Sequence, residues 1–367
     1  MGVFTHHFFL LFFPSSYFGT EFESRLLGID TYLSTSPLGF IINGNFWVNL
    51  FILISAYLPA CSIMRCTKED IKEKAGTMIL KRYPRLAIPV VFISLFYYFA
   101  IKVLNLFDCF YTKDLIEYRF GEYLLHVGII QFFREDITVI GSFWTLHELL
   151  FGVLFAILLS MAAKKENRFM FAVYFFCCAA CIVNVNFLAA ILGAMLADIV
   201  CFERLNELKE KIRLFNGRRM DLVLSLALIV GGIFLGGYPS YESPHNIYRL
   251  IGPIADITSS VVLHAFGAFL LLGGLILFHD QSEFSVLSAK PCLFLGRHCM
   301  GIYLFHPICM NIIGYPLSGP LIMKFNSYLL AVLLDYIIVT VLILLSSILF
   351  GYFVERPCER ICSRIKA

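Results

Sequence analysis

The chain has 367 residues, of which 59% are hydrophobic and 15% charged, with a mean hydropathy of +0.80. Soluble domains are nearer about 45–50% apolar and about a quarter charged. This composition therefore excludes a soluble enzyme, a disordered chain, a nucleic-acid-binding module and a disulfide-rich secreted domain.

Apolar runs of about 20 residues recur from end to end, the mark of a polytopic helical membrane protein. The full-length ones fall near 45–64, 86–106, 142–163, 169–185, 187–202, 221–238, 255–279, 297–316 and 329–353. Another, residues 2–13, is apolar but short. It reaches roughly 18 Å, against a hydrocarbon core of about 30 Å. The expected fold class is all-α, a polytopic membrane helix bundle of about ten transmembrane helices with the first short or truncated. One integral-membrane domain over 1–367 is expected, with no soluble appended domain.

The net charge of +3 is small, and its distribution says more. With the N-terminus cytoplasmic and every run crossing, the inside segments are 65–86, 164–168, 203–220, 280–297 and 354–367. They hold 22 of the 29 Lys and Arg, and the outside segments hold 7. That bias obeys the positive-inside rule and predicts a multi-pass cell-membrane protein with both termini cytoplasmic. The outside loops at about 14–44 and 107–141 are long and aromatic, suited to forming a mouth over the membrane. The N-terminus lacks a positive n-region and a cleavage-site pattern, so no signal peptide is expected. Most of the twelve cysteines lie inside apolar runs, without paired zinc-type spacing, and read as reduced, buried small hydrophobes. No metal site is expected.

Ionisable groups within the bilayer are costly, so each is a candidate for function. They are His6 and His7 in the first run, His147 and Glu148, Asp198, Asp256 and His264, His306, and Asp335. For Asp198, His264 and Asp335 the plainer reading is a group hydrogen-bonded between helices or reaching an interface. Asp256 reads as a helix N-terminal cap. The segment Lys81-Arg82-Tyr83-Pro84-Arg85 lies where an inside loop becomes the third span, with Pro84 expected in the first turn of that helix. Arg82 and Arg85, three apart, share a helical face. Two guanidiniums at the inner mouth of a bundle suit phosphate, through bidentate charge-assisted hydrogen bonds. The alternative is an ordinary basic anchor.

Six segments, in order, resemble the acyltransferase-3 family of ten-helix membrane enzymes that O-acylate cell-surface glycans. "FTHHFFLLFFP" (4–14) resembles the end of the family's first helix, and "NFWVNLFILISAYL" (45–58) its second, with Asn49 in place of Asp. "RYPR" (82–85) is similar to its R-x-x-R, and "FWTLHELLFG" (143–152) to its W-T-L-x-x-E block. "FLGRHCMGIYLFHP" (294–307) and "YFVERP" (352–357) resemble its closing L-x-H-P and E-R-P elements.

The resemblance implies roles residue by residue. His7 is placed at the family's catalytic His, with His6 the other register. Such a His suits general-base work, since its ordinary pKa lies near neutral. Arg82 and Arg85 would bind the phosphates of acyl-CoA. Trp144 and Glu148 would line the chamber, with Glu148 orienting the His or binding acceptor hydroxyls. His147, Asn49, Tyr303 and His306 would line or support it. Glu148 follows Trp144 by four residues rather than the family's five, a displacement of about 100° around a helix.

Two features of the beginning point the same way. The family's Arg, eleven positions before its His, would precede Met1, and the first span is short. The sequence is therefore expected to be an N-terminally truncated or mis-started form. The implied function is an integral membrane O-acyltransferase moving an acyl group, expected to be acetyl, from cytoplasmic acetyl-CoA to a hydroxyl of a glycan or lipid-linked sugar. Its partners would be acyl-CoA, that acceptor and the lipid bilayer, with no nucleic acid and no permanently bound cofactor. A second transfer step would fall to another protein, or the acceptor would be acylated directly within the membrane domain. The runner-up is a transporter or flippase of a sugar or lipid intermediate, against which stands the lack of an inverted repeat or paired broken helices. An inactive truncated relative is the third reading.

Overall fold

The computed structural model describes residues 1–106, 118–134, 140–165, 170–183, 187–202, 218–241, 247–281 and 288–366. The basic segment 203–217, which contributes to the inside charge count, lies outside the described residues. Among those described there is helix and no strand. The main helices are α1 (Gly2–Phe12), α2 (Gly44–Met64), α3 (Ile71–Asn105), α4 (Val153–Lys165), α5 (Met170–Val183), α6 (Leu188–Cys201), α7 (Arg218–Gly236), α8 (Ser260–Gln281), α9 (Cys299–Cys309), α10 (Tyr315–Phe325) and α11 (Tyr328–Phe350).

Six stretches are long and apolar enough to cross a membrane: Gly44–Met64, Ile71–Asn105, Gly141–Lys164, Arg219–Gly236, Ser260–His279 and Tyr328–Ser363. Four shorter apolar helices accompany them, at Gly2–Phe12, Phe120–Phe133, Met170–Cys181 and Leu188–Cys201. The chain is an all-α, multi-pass membrane protein.

The described residues form two compact units. The first comprises Gly2–Ile79 and Phe151–Ala289. Its hub is α2, which packs against α1, α4, α6 and α8. Small residues let these backbones approach. A Cβ on Gly193 of α6 would sit 3.0 Å from the Ala56 Cβ of α2, and one on Gly232 of α7 would lie 2.6 Å from the backbone nitrogen of Leu271 in α8. Apolar side chains gain little by leaving lipid for protein, so close van der Waals approach drives such pairs. In the loop after α1, Asp30 is fully buried. Its carboxylate accepts from Ser15 Oγ (2.7 Å), from Ser24 Oγ, and from the backbone N–H of Arg25 (2.8 Å) and Thr31 (3.2 Å). Burial pulls the Asp30 carboxyl upward, and these four hydrogen bonds outweigh it, holding the group below the usual carboxylate range.

The second unit comprises Leu80–Leu150 and Lys290–Lys366, with α9 and α10 packed on α11. Two expectations are corrected here. Pro84 does not sit in a first turn: α3 already begins at Ile71 and carries Pro84 and Pro89 in its interior. The early turns bury Ile71 and Ala75 while exposing Lys72 and Glu73, an amphipathic pattern that hydropathy averages miss. The segment 107–141 is also not a plain loop. Within it Phe120–Leu125, the π-turn His126–Ile130 and Gln131–Phe133 run back along α3. Phe120 lies against Tyr98 (6.0 Å between ring centres), Tyr123 donates to the Ser94 carbonyl (2.6 Å), and Tyr83 donates to the Gly128 carbonyl.

Three smaller expectations also change. Asp256 is an exposed residue of the short helix Gly252–Ile257, not the cap of α8. Asp335 is fully buried, and neither of its oxygens has a hydrogen-bond partner among the described residues. The described cysteines are free thiols, but Cys292 and Cys299 are exposed rather than buried.

Candidate active site

The candidate residues divide between the units. In the first, His6 and His7 project from α1 with their rings edge to face at 5.1 Å. The His6 imidazole is held by several neighbours. His6 Nδ1 lies 2.8 Å from the Ile42 carbonyl, a contact that requires Nδ1–H as donor. The Nε2 edge faces the start of α2, where a Cβ on Gly44 would overlap the ring and stand 2.8 Å from Nε2. Tyr17 closes another side, ring to ring at 5.5 Å. His6 is therefore a packed imidazole, clamped by Ile42, Gly44 and Tyr17. His7 is half-buried beside it. Asn49, on α2, is buried and donates to the Asn45 carbonyl of its own helix at 2.8 Å.

In the second unit the remaining candidates gather around π-turns. Such turns break the regular i to i−4 ladder and occur often at functional sites. One opens at Glu148 (Glu148–Gly152), one follows His306 and Pro307 (Met310–Gly314), and one ends at Glu355 (Gly351–Glu355). Arg82 spends two donors on the first of them: its Nε and Nη2 reach the Leu149 carbonyl at 3.0 and 2.6 Å. A guanidinium carries five N–H groups, so about three are not used by Leu149. Arg85 is exposed and forms a loose pair with Glu359 at 3.5 Å, the two side chains 55% and 63% accessible. The two arginines share a helix face, as expected, but only Arg82 is locked into the protein.

The Tyr303 hydroxyl, fully enclosed, lies 2.5 Å from Thr145 Oγ1 and donates to the Ser142 carbonyl, tying α9 to the Trp144 segment. Trp144 and Glu148 are both half-buried. The pairing of His306 with Pro307 has a local reason. Proline has no N–H to give the carbonyl four residues back, which is that of Tyr303. His306 Nδ1 takes that place, 2.6 Å from the Tyr303 oxygen. His147 Nδ1 lies 3.1 Å from the Phe132 carbonyl, so it fastens the 120–133 segment to the helix that carries Glu148.

The chain matches the model of the acyltransferase-3 family, described as an acyltransferase domain, over residues 1–354. It belongs to that family. No significant match was found among curated proteins or among solved structures. As a membrane acyltransferase, the chain carries the candidate residues quoted above on helices α1, α2, α3 and α9 and on the turns leading into α4.

Sequence reading missed the Asp30 cluster, the Asn43 partner of His264 and the tyrosine anchors of this acyltransferase, although it named His264 as a group hydrogen-bonded between helices. Asp30 and its four donors organise the loop after α1. His264 Nε2 lies 2.8 Å from both the Asn43 side-chain nitrogen and the Tyr238 carbonyl. Tyr83 and Tyr123 anchor the back-folded segment. Asn43 alone had a sequence signal, since Asn directly before an apolar run is a helix-cap pattern. It does cap α2, its side chain accepting from the Phe46 N–H at 3.4 Å.

Proposed function

We propose that this acyltransferase moves an acetyl group from cytoplasmic acetyl-CoA to a hydroxyl of a cell-surface glycan or lipid-linked sugar, acting as a multi-pass cell-membrane enzyme with cytoplasmic termini. The observation that carries the reading is the family match over residues 1–354, nearly the whole chain. His7 takes the proton of the acceptor hydroxyl as its oxygen attacks the thioester carbonyl. An O–C ester bond forms, the C–S bond breaks, and the proton passes to the departing thiolate. Acyl-CoA and alcohol become ester and free CoA thiol. The thioester is already activated, so the protein supplies proximity, a base and exclusion of water.

The choice of His7 rests on the family register, with His6 the other register. Arg82 and Arg85 hold the CoA phosphates, Arg82 with the donors left over from Leu149. Glu148 binds an acceptor hydroxyl, and Trp144 lines the chamber. His147, Asn49, Tyr303 and His306 hold the surrounding helices. The test is labelled acetyl-CoA added to the purified chain in lipid nanodiscs with envelope glycans. Release of CoA thiol together with a base-labile label on the glycan is the expected result. Sugar counterflow without CoA release would instead identify a transporter and overturn the reading.

A further inference from the structure

Within the first unit, two cysteines from different helices meet. Cys61 lies in the last turn of α2, and Cys201 is the last residue of α6. A chain of side-chain hydrogen bonds runs through them. The Tyr57 hydroxyl meets Cys61, Cys61 meets Cys201, and the Arg65 guanidinium donates to Cys201 Sγ. We infer that Cys61 and Cys201 form a thiol–disulfide exchange site, which reacts with a small disulfide of the glutathione class and closes reversibly into a disulfide joining α2 to α6.

Three observations carry it. First, the two sulfurs sit on backbones already in close contact. The helices α2 and α6 pack together, and a Cβ on Gly193 would stand 3.0 Å from the Ala56 Cβ and 3.1 Å from the Tyr57 backbone nitrogen. From that contact α2 runs on to Cys61 and Arg65, and α6 runs on to Cys201, which brings the three together. Disulfides join only backbones that already lie close.

Second, the two thiols differ as an attacking cysteine and its resolving partner must. The thiolate is the attacking form, and a neighbouring arginine favours it. Cys201 has that neighbour and is half-buried, with the exposed Arg65 beside it. Cys61 is only 6% exposed, so a reagent arriving from solvent meets Cys201 first.

Third, Arg65 opens the basic segment 65–86, which the charge bias assigns to the cytoplasm. Disulfides in that compartment are usually transient and serve redox sensing or catalysis. Cys358 and Cys362 make the contrast. Their sulfurs lie 4.0 Å apart on one helix, both are buried, and Cys358 donates to the Pro84 carbonyl at 3.8 Å. Buried thiols of that kind are inert.

In the exchange, the Cys201 thiolate attacks one sulfur of glutathione disulfide. A bond from Cys201 to that sulfur forms, the original S–S bond breaks, and one glutathione leaves as thiolate. The Cys61 sulfur then attacks Cys201 in the mixed disulfide and expels the second glutathione. Two protein thiols are oxidised, one disulfide is reduced, and the two protons end on the glutathione thiols.

The test exposes the full chain in lipid nanodiscs to glutathione disulfide, caps the remaining thiols with iodoacetamide and maps the cysteines by mass spectrometry. The wild type should yield a Cys61–Cys201 cross-linked peptide that dithiothreitol reverses. Cys61→Ser should instead hold glutathione on Cys201, and Cys201→Ser should leave Cys61 unmodified. Arg65→Gln should slow closure about tenfold, the effect of one lost charge-assisted hydrogen bond, and Arg65→Lys should recover part of the rate. None of these readouts depends on acyl transfer, and the wild-type cross-link decides the pairing even where a variant fails to fold. A wild type that stays fully reduced, that carries glutathione on both cysteines without a cross-link, or that closes Cys358–Cys362 first overturns the proposal. So does a Cys201→Ser variant in which Cys61 takes up glutathione.

Discussion

Arg82→Ala removes two kinds of interaction at once, and they can be separated. The guanidinium donates twice to the Leu149 carbonyl, at 3.0 and 2.6 Å, and Leu149 is almost fully buried. Truncation leaves that carbonyl in a π-turn without these donors, a loss of about 1–3 kcal/mol in stability. It also removes the N–H groups assigned to a CoA phosphate, worth roughly 1.5–3 kcal/mol, or about 10- to 150-fold in affinity. Arg85→Ala should differ in the first respect. Its pair with Glu359 is long and solvent-exposed, and such pairs contribute about 0–1 kcal/mol. The assay combines denaturant unfolding in detergent with acetyl-CoA titration for the wild type, both alanine variants and Lys81→Ala. Both arginine variants should lose affinity, only Arg82→Ala should lose stability, and Lys81→Ala should lose little of either. Arg82→Lys should recover part of the affinity, since an ammonium lacks the planar fork. Equal, small affinity losses for all three would show an ordinary basic anchor. A fully stable Arg82→Ala would refute the role given to the Leu149 contact.

Three further outcomes are expected. His7→Ala should abolish acetyl transfer with normal membrane insertion, while His6→Ala should lower both activity and stability; the reverse pattern in a transfer assay would exchange their roles. Gly44→Ala should drive the His6 ring off its seat and cost about 1–3 kcal/mol by overpacking, visible as a lower melting temperature, and unchanged stability would show that the clamp is slack. Asp30 is held below the usual carboxylate range, so its contribution is full above about pH 4 and disappears as pH falls through its lowered folded value. Protease cleavage within 14–44 should therefore rise only below about pH 4 in the wild type, and at all pH values in Asp30→Asn; a change between pH 5 and 8 in the wild type would contradict this.

Hydropathy alone determined the all-α membrane class and the positions of α2, α7, α8 and α11, because a bilayer crossing demands apolar length and little else. Motif order was likewise legible, and it led to the family. Tertiary structure decided what those residues hold. A running average cannot see that α3 starts at Ile71, since its first turns are helical yet charged on one side. Nor can it fold Phe120–Phe133 back along α3, because the bonds that do so join Tyr83 to Gly128 and Ser94 to Tyr123. His6 stands in a pair of adjacent histidines, and the Ile42 carbonyl that its ring meets is 36 residues away. Arg82 and Arg85 sit on one face of one helix, yet the partner that separates them, Leu149, is 67 residues from Arg82. Apolar length is a local sum along the chain, whereas a polar group's role depends on which distant donor or acceptor the fold brings within about 3 Å of it.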